Sequence, residues 1–176
     1  MDPVAQVAAS GGLSLPAAVG ALHGTKGTVR YQGTCEITRG QSTMARLALR
    51  MGSFPAAGTS VPITLTTCTD VTGTSWHRDF GGHVTRSQIW ASADNSQVIE
   101  RFGPIQLHMR LRLREGQLHY DLSRMQVLGL PVPRALTPRS ETWEYQTPAG
   151  DFGFDVSATL PLIGLLIRYR GQLRPA

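Results

Sequence analysis

Histidine, aspartate and arginine recur around a Gly-Gly dipeptide at Gly81-Gly82. Two-residue loops of this kind join antiparallel strands, so the flanking segments are predicted to pair as a β-hairpin. In that register His77 faces Arg86, and Asp79 is their neighbour on the same face. A histidine oriented by a carboxylate can act as a general base, and arginine can clamp a carboxylate, phosphate or enolate. His77, Asp79 and Arg86 are therefore candidate catalytic residues.

A second turn, predicted at Asp94-Asn95, extends the same face onto the next strand. It places Arg101 opposite Gln88, which makes Arg101 the fourth candidate catalytic residue. Gln88 and Trp90 become candidate ligand contacts. Buried charges need partners, so two interpretations stay open: structural ion pairs with nearby carboxylates, or a polar clamp on a ligand. Which face of the sheet carries the cluster also stays open.

The elements that must position these residues are strands. Apolar and polar residues alternate from Ile105 to Ser123, with one interruption at Glu115-Gly116. Alternation of period two over this length predicts a long hairpin with one buried face and one wet face. The turn places Leu111 opposite Tyr120 on the apolar face.

A further turn predicted at Ala149-Gly150 pairs Trp143 with Val156 and Tyr145 with Phe154. Tyr169, on the last strand, continues the same aromatic wall. Six residues are predicted to line the interior as ligand contacts: Leu111, Tyr120, Trp143, Tyr145, Phe154 and Tyr169.

The same register sets two carboxylates, Glu144 and Asp155, directly opposite each other. Two close carboxylates can form an acid/base pair, because like charges raise one of the two pKa values. The alternative is a neutralised ladder on the wet face, since Arg170 falls opposite Asp155.

The whole pattern predicts a mainly β protein, an antiparallel up-and-down, lipocalin-like barrel of about nine strands with two short N-terminal helices. The helices are expected at Ala17–Leu22, with Ser14 as the cap, and at Gln41–Met51. Residues 1–13 are expected to form a flexible arm and residues 14–176 a single barrel domain. A sheet folded over one long helix is the alternative architecture.

The composition of the chain restricts the classes of molecule that it is expected to bind. The chain has 176 residues and a net charge of +5, and Lys26 is its only lysine among 17 basic residues. The arginines are spread singly and are not interleaved with aromatic residues, so no nucleic-acid partner is expected. No metal-ligand spacing, cofactor motif, signal peptide or membrane span is seen, which favours a cytoplasmic protein without cofactors.

Several segments stand in a fixed order along the chain: Leu15–Val19 with Ala21–Gly24, Trp76–Gly82, Glu100–Pro104, Leu128–Pro133, and Phe152–Val156 through Leu160–Gly164 to Arg168–Gly171. Together they resemble the bacterial domain-of-unknown-function family 4166. Members of that family often follow a saccharopine-dehydrogenase-like reductase domain. The resemblance implies a bacterial origin and a separate reductase as a partner, and it supplies no catalytic residues.

Three functions fit these observations. The first is binding of a small, largely apolar molecule, with or without an acidic group, inside the barrel in a bacterial biosynthetic pathway. The second is a cofactor-independent cyclase, isomerase or dehydratase that acts on such a molecule. The third is a docking module for a separate reductase.

Overall fold

Strands make up most of the chain in the computed structural model, which describes residues 1–51, 54–161 and 163–176. The helices are α1 (Pro3–Ser10), α2 (Ala17–His23) and α3 (Thr43–Met51), and a 3-10 turn spans Arg134–Leu136. The strands are β1 (Gly27–Arg39), β2 (Gly58–Thr69), β3 (Thr74–Phe80), β4 (His83–Ala91), β5 (Val98–Phe102), β6 (Ile105–Arg114), β7 (Gln117–Val127), β8 (Leu130–Pro131), β9 (Arg139–Gln146), β10 (Phe152–Leu160) and β11 (Gly164–Pro175).

The described strands close into an antiparallel barrel. The order is β6-β5-β4-β3-β2-β1-β11-β10-β9-β7, and pairing of β7 with β6 completes a ring of ten strands. The short strand β8 is bonded to β7 outside the ring. The predicted barrel is confirmed, with slightly more strands than the nine expected. Closure pairs most of the strand edges along the ring, which is how a sheet of this size satisfies its backbone groups, and the β7–β9 junction is paired over two positions.

Tight turns set the registers as the sequence predicts. The two glycines of the Gly81-Gly82 loop have φ values of 62° and 100°, which residues with a Cβ rarely adopt. His77 consequently lies opposite Arg86. The pairing of Leu111 with Tyr120 in the β6–β7 hairpin is confirmed as well.

The β9–β10 hairpin differs from its prediction by one residue. Its loop covers residues 147–151, and Phe154 pairs with Glu144 instead of Tyr145. Because successive side chains of a strand point to opposite faces, a shift of one residue exchanges the two faces. Trp143 and Tyr145 therefore lie on the outside of the barrel, and Glu144 points inward.

The first residues, expected as a flexible arm, form α1 in the structure. Asp2 caps this helix by accepting a hydrogen bond from the Val4 backbone N–H at 2.9 Å. Val4 and Val7 are 2% and 4% exposed and belong to the same core cluster as the barrel interior. The helix is short, so its packing on the barrel, more than its own propensity, stabilises it.

The other helices lie at the two ends of the barrel. α2 follows Pro16, which stands at the cap position without a side-chain hydrogen bond, so the predicted Ser14 cap is wrong. It packs against β9 and β10, while α1 contacts β4 and β5. α3 lies against β11 and buries Ala45 and Leu49, which are one helical turn apart. Among the described residues, no helix combines the length and the apolar character needed to cross a bilayer.

Candidate functional site

A single arginine of β3, Arg78, carries a positive charge into the barrel. Its Nη2 donates to Glu100 Oε1 at 3.0 Å and its Nη1 to Ser87 Oγ at 2.9 Å. The guanidinium also lies over the Trp76 ring, 4.6 Å from the centroid. An arginine has five N–H donors, so three remain that can donate to an oxygen of a bound molecule. The Arg78 and Glu100 side chains are 24% and 17% exposed, which means that water can reach this pair.

Tyr169 of β11 adds a hydroxyl to the same interior. Its ring lies 5.6 Å from that of Phe80. Burial raises the pKa of Tyr169 to about 12, although the positive charge of Arg78 acts in the opposite direction. The phenol is therefore protonated at neutral pH and can donate a hydrogen bond. Cys35 is buried as well, and burial raises the pKa of its thiol to about 11, so it is not a nucleophilic thiolate.

Apolar side chains next to these groups are only partly buried. Partly buried, inward-facing residues include Leu107, Leu111, Leu122, Val156, Ala158 and Tyr169. Other inward residues, such as Ile37, Ile89, Val98, Phe152 and Ile167, are 5% exposed or less. The interior thus combines densely packed positions with positions that keep accessible apolar surface.

A cleft opens the wall beside Leu122, one of the partly exposed inward-facing residues. β7 and β9 are paired only at Leu118–Glu144 and His119–Trp143, and beyond these pairs the strands diverge. The resulting cleft has a volume of about 800 Å³. Leu122 and Ser140, which face the interior, line it together with four arginines, and we call it the arginine cleft. Its four arginines are Arg110, Arg124, Arg134 and Arg139.

The opposite end of the barrel is closed by a buried polar network centred on His23 at the end of α2. His23 Nδ1 lies 3.0 Å from Asp2 Oδ1, and Nε2 lies 2.9 Å from Glu144 Oε2. Asp2 also accepts a bond from Thr74 of β3, and Glu144 accepts one from the Tyr120 hydroxyl at 2.8 Å. β3 and β9 stand on opposite sides of the ring. The network therefore spans the interior and ties both N-terminal helices to the barrel.

His23 is charged in this network. Its side chain is 1% exposed, and such burial alone would lower its pKa. The negative charges of Glu144 and Asp2, with their hydrogen bonds, outweigh burial and raise the pKa of His23 to about 10. The same contacts lower the pKa of Asp2 below 3.8 despite its own burial. An imidazolium sealed between two carboxylates cannot reach a substrate, so we assign this network a structural role.

The raised pKa predicts an alkaline loss of stability. The pKa of His23 is 6.5 in the unfolded chain and about 10 in the folded protein. Its contribution is thus complete below pH 6.5 and declines as the pH rises towards 10. We expect the free energy of unfolding, measured with urea at a series of pH values, to fall over this range by several kcal/mol. His23→Gln should lack this slope, and an equally steep slope in that variant would contradict the assignment.

The four predicted catalytic residues lie on the outer face of the barrel. His77, Arg86, Gln88 and Arg101 line a shallow depression of about 530 Å³, with Arg101 donating to Gln88 at 3.0 Å. Asp79 accepts a hydrogen bond from the Gly82 backbone N–H at 2.6 Å and so stabilises its own turn. The pairings are as predicted, and the face of the sheet, which the sequence left open, is the outer one.

The predicted apolar and aromatic ligand contacts divide between the two faces. Leu111, Tyr120, Phe154 and Tyr169 face inward, as expected, and their contact with a ligand stays a prediction. Three others face outward. These are Trp143, which stacks on His119 at 5.7 Å, Tyr145, and Trp90, which shares the outer face with Arg86 and Gln88.

The predicted carboxylate pair does not form. Glu144 points inward to His23, whereas Asp155 lies opposite Trp143 on the outer face. Asp155 Oδ1 accepts from Arg168 Nε at 2.8 Å. Arg170 does lie opposite Asp155 in register, but it donates to Glu36 instead.

Sequence reasoning missed the polar groups that the barrel encloses. Arg78 shares its face with Trp76 and Phe80, and an arginine flanked by two aromatic residues at period two was the available signal. The sequence carried no such signal for His23 and Asp2. Their partners Glu144 and Thr74 lie 121 and 72 residues away along the chain.

The fold and the enclosed groups define a class: a closed antiparallel β-barrel with helices at both ends and an ion pair beside apolar side chains inside. The chain belongs to the family described as Domain of unknown function (DUF4166), whose model matches residues 15–173. No curated protein matches it in sequence.

Proposed function

We propose that this protein binds a small, largely apolar molecule inside the barrel, with an oxygen-bearing group of that molecule at Arg78. One observation carries the proposal: partly exposed apolar side chains share the interior with a charged group that has spare hydrogen-bond donors, and one of them, Leu107, lies opposite Glu100. Ligand sites are usually apolar concavities with few, well-placed polar groups. A carboxylate or carbonyl oxygen suits the free N–H groups of Arg78 and the Tyr169 hydroxyl.

The arginine cleft supplies a route to this interior. Leu122 and Ser140 belong both to the cleft and to the inward face. The entry route that we propose for the molecule therefore runs through the wall between β7 and β9, at the end away from the His23 network. A role of this kind in a bacterial biosynthetic pathway is part of the proposal.

Arg78→Met should weaken the binding of an apolar anion by at least about tenfold, because the anchoring donors are lost. The probe is 1-anilinonaphthalene-8-sulfonate, whose fluorescence rises in apolar surroundings, titrated into the folded protein. Arg86→Met is the matched control: it removes the same charge from the outer face of the neighbouring strand. We expect the control to bind the probe as the unsubstituted protein does.

Arg78→Met leaves Glu100 without its partner, which could disturb the fold. The double variant Arg78→Met, Glu100→Gln keeps the interior neutral and separates the two effects. Equal affinity in the double variant and the unsubstituted protein would show that Arg78 does not hold the probe. Equal losses in the Arg78 and Arg86 variants would show that the probe responds only to overall charge.

A further inference from the structure

We propose that the arginine cleft binds a multiply charged phosphate group, either the diphosphate of an organic ester or inorganic diphosphate. The site lies in the barrel wall and is separate from Arg78, so the binding of inorganic diphosphate there does not depend on what the interior holds.

The cleft concentrates positive charge from four separate parts of the chain. Arg110 comes from β6, Arg124 from β7, Arg134 from the 3-10 turn and Arg139 from β9. In the part of the chain that the structure describes, none of the four forms an ion pair with a carboxylate. Four cations without a counter-charge repel one another, and a bound anion would offset that repulsion.

The one acidic residue that lines the cleft is already engaged. Asp121 lies opposite Arg110 in the β6–β7 register, yet its Oδ2 accepts from Arg112 Nε at 2.8 Å. Arg114 approaches the same oxygen to 3.8 Å. Arg112 and Arg114 are not among the residues that line the cleft. The carboxylate is thus satisfied by these two arginines, which leaves Arg110 for an external anion.

The shape and lining favour a small phosphate compound over a nucleic acid. A volume of about 800 Å³ is in the range of small-molecule sites. None of the residues that line the cleft is aromatic, so stacking of nucleobases has no platform. Planar guanidinium groups bind phosphate oxygens in pairs. Four guanidinium groups offer more donors than the two oxygens of one carboxylate can accept. The several oxygens of a diphosphate can accept bonds from all four.

The test is isothermal titration calorimetry of the full chain with inorganic diphosphate at about 0.15 M ionic strength, where the Debye length is about 8 Å. The double variant Arg124→Gln, Arg139→Gln should lose at least about tenfold in affinity. The matched control is Arg30→Gln, Arg174→Gln, which removes the same charge from exposed positions on β1 and β11. We expect the control to change affinity less than about twofold, since surface charges at a distance are screened. Circular dichroism melting of each variant shows whether the fold is retained.

Titration with geranyl diphosphate identifies the source of the phosphate group. Geranyl diphosphate that binds more tightly than inorganic diphosphate indicates an ester whose apolar part enters the barrel; equal affinities indicate the free anion. Three results would overturn the proposal. They are no binding of diphosphate to the unsubstituted protein, equal losses in the cleft and control variants, and tighter binding of a single-stranded oligonucleotide than of either diphosphate.

Discussion

Replacing His23 by alanine should lower the free energy of unfolding by about 3–5 kcal/mol, the usual effect of removing one partner from a buried ionic network. The imidazolium is 1% exposed and bonds to Asp2 and Glu144 at 3.0 and 2.9 Å. Without it, two carboxylates remain buried with no counter-charge, and Trp76 loses a stacking partner whose ring centroid lies 5.7 Å away. Urea unfolding followed by circular dichroism at pH 6.5 measures the effect.

His119→Ala is the control for this substitution. His119 lies on the outer wall and stacks on Trp143. Its replacement by alanine should therefore lower the free energy of unfolding by about 1 kcal/mol or less. A second comparison uses Glu144→Gln in a His23→Gln background. Glu144→Gln should lower the free energy of unfolding less in that background than in the unsubstituted protein, because the Glu144 carboxylate there has already lost its bond to the His23 imidazolium. Strictly additive losses would show that the two side chains do not interact.

Replacing Gly33 by alanine should destabilise the fold by about 3 kcal/mol or more. Gly33 faces inward on β1, opposite Leu173 of β11. A Cβ at this position would clash with the backbone carbonyl oxygen of Gln172 and lie 3.2 Å from the Leu173 Cα. Because the obstacle is backbone, relief requires β1 and β11 to separate, and that pairing is one of the links that close the ring.

Gly20→Ala provides the matched glycine control. Gly20 lies in α2, where an added Cβ would meet only the Leu15 Cβ at an ordinary contact distance of 3.8 Å. Alanine in a helix is favoured over glycine by roughly 0.5–1 kcal/mol, so this variant should be slightly more stable. Both variants are compared by urea unfolding. A Gly33 variant as stable as the unsubstituted protein would mean that the β1–β11 approach is looser than the structure shows.

Much of the strand pairing could be predicted from residues that are close together in the sequence. The two-residue loops at Gly81-Gly82 and Glu115-Gly116 determine their own registers, because left-handed φ values at those positions leave little freedom in the strand pairing. The same rule failed at Ala149-Gly150, where the turn is wider and covers residues 147–151. That single shift accounts for the errors at Trp143, Tyr145 and Glu144.

Only the closed barrel shows which side of each strand faces inward. Alternation along β3 and β4 shows two faces, and each contains an arginine: Arg86 with His77 on one, Arg78 with Trp76 on the other. A period of two separates the faces but does not say which one the sheet curls around. The curvature of the sheet, its closure and the packing of α1 and α2 determine which face lies inside. They place Arg78 in the interior and Arg86 on the outside.

From the order of its residues alone, this chain can be assigned a curled antiparallel sheet with several correct pairings, because turns and alternation act between near neighbours. The His23 network, the Arg78–Glu100 pair and the arginine cleft depend on side chains from distant segments. These meet only after ten strands have closed into a ring. Charges of this kind interact through space, and no spacing along the chain encodes their distances.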